Sequence, residues 1–299
     1  MRAVVHTRTG EPREVLSVVE TDEPHAGPGE VRILVRAAGV NPIDWKLVTG
    51  LMGGAPDRPR APGIDAAGLV DEIGAGVTGV RLGDPVFGQA TSGSAAEYAV
   101  LSAWAAKPET VPFEAAAGLP VAGETAVRVL DLLGLRAGRT VVVDGASGGV
   151  GSTTVQVALA RGLRVIGTAG KGNQEFLASL GAQATLYGPG LVDRVRALAP
   201  DGVDGAVDTA GRGSVRDLIA LTGDPHQVVT IADFSAGDLG VQVTTGGGGQ
   251  RERLEQVAAL LAAGELQVPV AQTFPLEQIA EAYALSRAGH VRGKLVLRP

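Results

Sequence analysis

The feature that most limits the fold of this chain is the stretch TVVVDGASGGVGSTTVQVALARG at residues 140–162. Its block of valines predicts a buried strand, and the segment after the glycines predicts a helix. Gly145, Gly148 and Gly151 recur at three-residue spacing, where a backbone must bend and approach a phosphate closely. This order predicts a dinucleotide-binding unit, because a helix N-terminus attracts an anion. The first glycine of a GxGxxG pattern is Ala146 here, and an ordinary structural turn is the alternative.

The end of the next strand indicates which dinucleotide is bound. NAD-binding units usually carry an acidic residue there, about 20 residues after the turn, which bonds the ribose hydroxyl. This chain reads RVIGTAGKGNQEF at 164–176, with no carboxylate at the expected position and Lys171 shortly after it. Because a 2′-phosphate is strongly anionic, the sequence favours NADP over NAD. Two features argue against NADP: Lys171 could be an ordinary solvated loop lysine, and the acidic Glu175 lies nearby in the sequence.

The composition argues against several classes of function. The 299 residues have a net charge of −6 and no cluster of Lys and Arg, so nucleic-acid binding is not expected. Without cysteine the chain has no disulfide, no thiolate nucleophile and no Cys-ligated zinc. No apolar run approaches the length of a membrane span, and the first residues do not resemble a signal peptide. We therefore expect a cytoplasmic protein without a membrane or nucleic-acid partner.

The hydrophobic pattern predicts two domains. Short apolar runs separated by Gly, Pro and Asp indicate a β-rich domain over 1–117. Valine-rich strands alternate with helical segments over 118–270, which predicts βαβ units and a parallel sheet. Within this part QRERLEQVAALLAAGEL predicts a helix with one apolar face, formed by Leu254, Val257, Ala258 and Leu261. A last helix and strand over 271–299 are expected to return to the first domain.

Seven stretches share their order and spacing with a known family. They are GVNPIDWK (39–46), PGIDAAGLVDEIGAGVTGVRLGDPVFG (62–88), AAEYAV (95–100), LPVAGETA (119–126), GASGGVG (145–151), SLGA (179–182) and GHVRGKLVL (289–297). Over nearly the whole chain they resemble the medium-chain dehydrogenase/reductase superfamily, in its zinc-free quinone oxidoreductase (zeta-crystallin-like) and enone reductase branch. The resemblance implies an α/β fold: a GroES-like β-rich catalytic domain plus a Rossmann domain with a doubly wound parallel sheet. It also implies a homodimer.

The residues that bind zinc elsewhere in this superfamily are replaced. Zinc alcohol dehydrogenases carry a Cys after the second strand and a His in a GHE motif, whereas these regions read GVNPID and Gly63, Ile64, Asp65 here. The histidines are scattered and lack metal-ligand spacing: His6, His25, His226 and His290. We predict no metal. Without zinc to acidify an alcohol, the sequence favours reduction of a quinone or an electron-poor C=C bond, in which charge develops on oxygen.

Candidate catalytic residues lie in NPIDWK, where the resemblance places the substrate pocket. Asn41 resembles the residue that approaches the nicotinamide ribose in quinone reductases, and Lys46 follows the DWK-like pattern of plant alkenal and enone reductases. Lys46 is a candidate for polarising the substrate oxygen or donating a proton, and Asp44 for orienting Lys46 or the loop backbone. The alternatives are a solvated Lys46 and a capping role for Asp44.

The same resemblance assigns contacts to NADPH. Thr125 would contact the nicotinamide end, Tyr187 would flank the adenosine, and Asn173 would lie near the ribose phosphate. The glycine turn would hold the pyrophosphate through Gly145, Ser147, Gly148, Gly149, Val150 and Gly151. The Ser and Arg that are common beside Asn173 in the family are replaced by Gly170 and Gly172, so Lys171 would supply most of the charge.

The sequence leaves three hypotheses for the function. The first is an NADPH-dependent, zinc-independent reductase of quinones or α,β-unsaturated carbonyl compounds, with a small electron-poor molecule as substrate. The second is an enoyl reductase dedicated to one natural-product pathway. The third is a protein that binds NADPH with little turnover.

Overall fold

The structure, a computed structural model, describes residues 1–289 and 291–299. The first elements are β1 (Arg2–Val5), α1 (Pro12–Val15), β2 (Ser17–Glu20), β3 (Val31–Val40), α2 (Pro42–Val48), β4 (Asp65–Ile73), β5 (Pro85–Ala90), β6 (Tyr98–Ala106) and α3 (Phe113–Ala117). They are followed by α4 (Pro120–Leu133), β7 (Thr140–Asp144), α5 (Gly149–Ala160), β8 (Arg164–Ala169), α6 (Gln174–Ser179), β9 (Gln183–Leu186), α7 (Leu191–Leu198), β10 (Gly205–Asp208), α8 (Val215–Thr222), β11 (Val228–Thr230) and β12 (Gln242–Val243). The last elements are α9 (Gln250–Ala263), β13 (Val270–Pro275), α10 (Ile279–Ala288) and β14 (Lys294–Arg298).

The chain divides into two compact units. Unit 1 comprises Met1–Val121, Gln250–Ala262 and Gln267–Pro299, and unit 2 comprises Ala122–Gly249 and Ala263–Leu266. The sequence pattern places all of α9 in the second domain, whereas most of this helix belongs to unit 1. There the Arg251 guanidinium lies 4.3 Å from the centroid of the Trp104 ring. The domain limits drawn at 117 and 270 stay a prediction.

Unit 1 is built on a six-stranded sheet in the order β13, β14, β3, β4, β5, β6. Because β3 also pairs with β6, the strands β3 to β6 close on themselves. The terminal strand β14 lies between β13 and β3, which confirms that the end of the chain returns to the first sheet. Alternate residues of these strands point inward, and the core contains Ile33, Phe87, Leu101 and Tyr283, all fully buried.

Unit 2 is a six-stranded parallel sheet in the order β9, β8, β7, β10, β11, β12. This is the doubly wound order, in which the strand sequence reverses direction beside β7. Val141, Val142 and Val143 of β7 are completely buried, as expected for a strand covered on both faces. The predicted fold class is confirmed, and the carboxyl end of β7 lies at the switch point where such sheets bind ligands.

The helix predicted from residue 250 onward is confirmed as α9. Its buried residues are Leu254, Val257 and Leu261, and Gly264, with φ +73°, follows its last residue as a left-handed cap. Within the described part of the chain, no helix combines the length and the apolar character needed to span a bilayer.

Candidate functional site

The glycine turn between β7 and α5 has the backbone geometry of a phosphate cradle. Gly145 has φ +76°, a left-handed conformation that L side chains rarely adopt. A Cβ on Gly151 would lie 2.2 Å from the carbonyl oxygen of Gly145, so only glycine allows the first turn of α5 to come this close. Gly148 is the N-cap of α5, and the first turn of this helix holds no acidic residue. The backbone N–H groups of Gly149 and Val150 are therefore available for an anion.

Side chains under the turn hold it in place. Asp144, the last residue of β7, is buried and accepts hydrogen bonds from the hydroxyls of Thr168 and of Ser214, the latter at 2.6 Å. Thr168 Oγ1 in turn accepts the backbone N–H of Gly145 at 3.1 Å. Sequence reasoning assigned no role to Asp144 or Ser214. The available signal was a carboxylate at the end of an otherwise apolar strand.

Four residues assigned to the cofactor lie near the carboxyl ends of β7 and β8. Asn173 Nδ2 donates to Ser147 Oγ at 3.3 Å, which joins the glycine turn to the end of β8. Lys171 is exposed in the same single 3₁₀ turn as Asn173. Tyr187 is 54% exposed, and a Cβ on Gly170 would lie 3.7 Å from its ring. This grouping is the one an adenosine phosphate would need, and the individual contacts stay a prediction.

Thr125 lies on α4 in a buried polar cluster of unit 2. Arg128 donates to Thr125 Oγ1 at 3.2 Å and pairs with Glu124 at 3.1 Å, and both partners of this ion pair are almost fully buried. Arg128 also donates to Thr244, which precedes the glycine-rich segment 246–249. Thr125, the predicted nicotinamide contact, is thus held by the Arg128–Glu124 ion pair, which the sequence analysis did not predict.

A second buried polar cluster lies in unit 1 and contains Asn41. Asn41 Nδ2 donates to Asp65 Oδ2 at 2.8 Å, and Lys294 Nζ donates to Asn41 Oδ1 at 2.6 Å. Lys294 and Asp65 form an ion pair at 3.8 Å, and the backbone N–H of Val121 donates to Asp65 Oδ1 at 2.8 Å. Sheet register explains this meeting of distant residues. Gly39 pairs with Asp65, and Val40 pairs with Leu295, the neighbour of Lys294.

Asp44 caps the start of α2. Its Oδ2 accepts the backbone N–H of Asn41 at 2.8 Å, while its Oδ1 is buried without a hydrogen-bond partner among the described residues. This contact is the capping role that the sequence left as the alternative for Asp44, and a catalytic role for Asp44 stays a prediction. An Asp at the third helical position that bonds back to the N-cap residue is a capping-box arrangement.

Burial changes the protonation equilibria of this cluster. Burial, together with the charge of Asp65, raises the pKa of Asp44 from 3.8 to about 7, although the N–H of Asn41 opposes the shift. Burial raises the pKa of Asp65 to about 6 against the opposing charge of Lys294. Burial lowers the pKa of Lys294, and the charge of Asp65 opposes this. The cluster can therefore exchange protons near neutral pH.

The Asp44→Asn variant should gain stability relative to the wild type as pH rises. In the wild type the folded state holds the Asp44 proton more tightly than the unfolded state does, because the pKa of Asp44 is near 3.8 when unfolded and about 7 when folded. The raised pKa therefore stabilises the wild type fully below about pH 4, and this stabilisation is lost as the pH rises to about 7. Asn does not titrate. The difference in unfolding free energy should grow by on the order of 1 kcal/mol per pH unit. Urea unfolding at pH 5 and pH 8 measures it.

The other titratable groups of this cluster, Asp65, Lys294 and the buried Tyr283, are present in both proteins, and their electrostatic coupling to Asp44 is part of the measured difference. A variant that differs from the wild type by the same amount at both pH values would show that Asp44 stays ionised in the folded protein.

Lys46 lies outside the buried cluster. It is half-buried in the last turn of α2, and its Nζ is 5.8 Å from the centroid of the Trp45 ring. The structure shows no contact by which Asp44 orients it. The catalytic assignment of Lys46 stays a prediction.

Within 1–289 and 291–299, no group of three or more His, Asp or Glu side chains is placed to hold a metal ion. His6 Nδ1 lies 3.2 Å from the carbonyl oxygen of Arg8, and His25 Nδ1 lies 3.1 Å from Glu72. His290 is outside the described residues. The absence of a metal stays a prediction.

Two family models match the chain. Residues 27–113 match the alcohol dehydrogenase GroES-like domain, and residues 180–297 match a model described as zinc-binding dehydrogenase. The quinone oxidoreductase of Rattus norvegicus is 29% identical over 320 residues, covering 99% of this chain and 97% of the rat protein. The 2-methylene-furan-3-one reductase of Solanum lycopersicum is 31% identical over 288 residues, covering 90% of this chain and 72% of the tomato protein.

A solved mycobacterial structure, a complex with NADPH, superimposes with a TM-score of 0.86 at 27% identity and covers all of both chains. Together these matches define an oxidoreductase built from a GroES-like domain and a Rossmann domain. The chain belongs to the medium-chain dehydrogenase/reductase superfamily, among its quinone oxidoreductases and enone reductases.

Proposed function

We propose that this protein is an NADPH-dependent reductase that transfers a hydride to quinones or α,β-unsaturated carbonyl compounds without zinc. The observation that carries the proposal is the replacement of the superfamily's metal ligands by the buried cluster of Asn41, Asp65 and Lys294. The names of the rat and tomato relatives support the same class of acceptor.

The donor atoms of this region do not fit a catalytic zinc. Ile64 stands where the GHE motif has its histidine and offers no donor, and the chain has no cysteine. Both carboxylate oxygens of Asp65 accept hydrogen bonds, one from Asn41 and one from Val121, and Lys294 supplies a positive charge beside them. A lysine ammonium in this place opposes a divalent cation.

Unit 2 fits NADPH. Gly145 and Gly151 let the first turn of α5 pack closely against the end of β7, which presents the N-terminus of α5 for a pyrophosphate. At the end of β8 the chain offers Lys171 and no carboxylate, which suits a 2′-phosphate. The mycobacterial structure with NADPH supports this assignment. When bound, NADPH supplies the hydride.

The residues of unit 1 would stabilise charge on the acceptor. Reduction of a conjugated carbonyl places negative charge on its oxygen, and a positioned cation or N–H donor lowers the energy of that state. Lys46 offers the cation, Asn41 offers an amide N–H, and solvent can deliver the proton. We assign Asp44 to positioning Asn41 through the backbone contact described above.

The test is loss of 340 nm absorbance with NADPH and either 1,4-benzoquinone or a simple enone, with a saturated ketone as control acceptor. We expect turnover of the first two only, unchanged by a chelator. Lys46→Met should lower kcat by about 100-fold while NADPH affinity is retained, as for loss of one oxyanion-stabilising group. Lys171→Met is the matched control, because it should weaken NADPH binding instead. An unchanged kcat would remove Lys46 from the mechanism, and chelator-sensitive turnover would overturn zinc independence.

Other outcomes would favour the remaining hypotheses. Poor turnover of quinones with rapid turnover of one enoyl thioester would indicate an enoyl reductase dedicated to one pathway. Tight NADPH binding without turnover of any acceptor would indicate a binding protein. The homodimer implied by the resemblance and the cytoplasmic location expected from the composition are likewise proposals.

A further inference from the structure

We infer that Lys294 and Asp65 are positioning residues that lock the side-chain amide of Asn41 in one orientation, so that Asn41 acts only as a hydrogen-bond donor. The inference deepens the proposed function and rests on it for the role of Asn41 in turnover. Its structural part, the locked amide, stands on the contacts within unit 1.

The two ends of the amide face opposite charges. The Lys294 ammonium donates to Oδ1 at 2.6 Å, and the Asp65 carboxylate accepts from Nδ2 at 2.8 Å. A flip of the amide would set its N–H groups against the ammonium and its oxygen against the carboxylate. Because ammonium has only donors and carboxylate has only acceptors, both hydrogen bonds would be lost. The cluster is buried, so those groups would have no water to replace the lost partners.

The backbone around Asn41 is fixed as well. Its N–H donates to Asp44 Oδ2 at 2.8 Å, and the capping contact sets the entry into α2. Asp65 is held from the other side by the backbone N–H of Val121, in the first turn of α4, at 2.8 Å. A carboxylate at a helix N-terminus is favourable, which keeps Asp65 in place as the acceptor.

The amide then has one group left to offer. Its oxygen has two lone pairs: one accepts from Lys294, and the capping box of α2 pairs the same side chain with the backbone N–H of Asp44. One of its two Nδ2 hydrogens is used by Asp65, and among the described residues the second hydrogen has no partner. What remains is a single N–H, which can bind an oxygen with lone pairs. This matches a ribose hydroxyl or the carbonyl oxygen of an acceptor, and it excludes a donor group such as an ammonium at this position.

A structural role and a positioning role predict different results for the ion pair. Removing one partner of a buried pair is destabilising, whereas removing both is often neutral for stability. Lys294→Met or Asp65→Asn should therefore lower both the unfolding temperature and turnover. The double variant should recover much of the stability but not the turnover, because Asn41 is then free to flip.

The first experiment is a double-mutant cycle with Asn41→Ala. Lys294→Met should lower kcat/KM by about tenfold or more when introduced into the wild-type protein. Introduced into the Asn41→Ala variant it should lower kcat/KM by less than about twofold, because Lys294 acts through Asn41. Equal losses in both backgrounds would overturn the inference, as would recovery of turnover in the Asp65→Asn/Lys294→Met variant. If Lys294→Met does not fold, the cycle is repeated with Asp65→Asn.

The second experiment does not depend on turnover. The side-chain amide signals of Asn41 in a ¹⁵N-correlated NMR spectrum are identified by their loss in Asn41→Ala. In the wild type one of the two Nδ2 protons should be shifted strongly downfield by the carboxylate, and this shift should collapse in the double variant. Unchanged signals would overturn the locked amide even in an active enzyme. A wild type that shows the shift but reduces no acceptor would instead count against the proposed function alone.

Discussion

Replacing Gly151 by alanine is expected to abolish useful NADPH binding. The new Cβ would lie 2.2 Å from the carbonyl oxygen of Gly145 and 2.8 Å from Cα of Ala146. Both neighbours are backbone atoms, so no side-chain rotation relieves the overlap and the first turn of α5 must move away. Loss of two charge-assisted hydrogen bonds to the pyrophosphate, each worth about 1.5 to 3 kcal/mol, would lower affinity by about 100-fold or more. Titration calorimetry with NADPH measures the change.

Gly237→Ala is the matched control in the same unit. Its Cβ would meet only Val243 Cγ2, at 3.6 Å, which is ordinary contact. Both variants are first checked by thermal unfolding, because overpacking in a core costs about 1 to 3 kcal/mol. A folded Gly151→Ala protein that binds NADPH as tightly as the control would show that the turn does not cradle the pyrophosphate.

The features of this molecule that could be predicted from its sequence are those that depend on residues close together in the chain. The valines of β7, the spaced glycines and the apolar face of α9 each lie within a few residues of one another, and their periodicity specifies strand, turn or helix. The same holds for Asp44, whose partner Asn41 is three residues away. Such contacts need no knowledge of the tertiary fold.

The buried cluster in unit 1 could not be predicted in this way. Lys294 and Asn41 are 253 residues apart, and Asp65 reaches Asn41 only because β4 and β14 flank the same end of β3. A lysine at the start of a strand is ordinarily solvated, and nothing in the local sequence marks Lys294 as buried. Arg128 and Glu124 show a milder case: their spacing permits an ion pair on α4, but only the fold shows that the pair is buried beside Thr125.

The end of β8 provides the sharpest test of cofactor choice. Gly170→Asp is expected to reverse the preference between NADPH and NADH. Gly170 has φ −67°, which any residue adopts, and its Cβ would be 3.7 Å from the Tyr187 ring, so aspartate fits without strain. A carboxylate there would repel the 2′-phosphate and accept a hydrogen bond from the free 2′-hydroxyl of NADH. Two like charges about 4 Å apart near a protein surface repel by about 4 kcal/mol, so after screening we expect the ratio of affinities to shift on the order of 100-fold.

Gly170→Asn separates charge from shape, because asparagine has the same size and no charge. It should leave the preference for NADPH largely intact, and dissociation constants for both dinucleotides, measured on the wild type and both variants, give the comparison. If asparagine shifts the ratio as far as aspartate does, steric contact with Tyr187 is the cause and the electrostatic argument fails. If aspartate leaves NADPH affinity unchanged, the 2′-phosphate does not lie at this strand end, and the exposed charge of Lys171 has no part in selecting the cofactor.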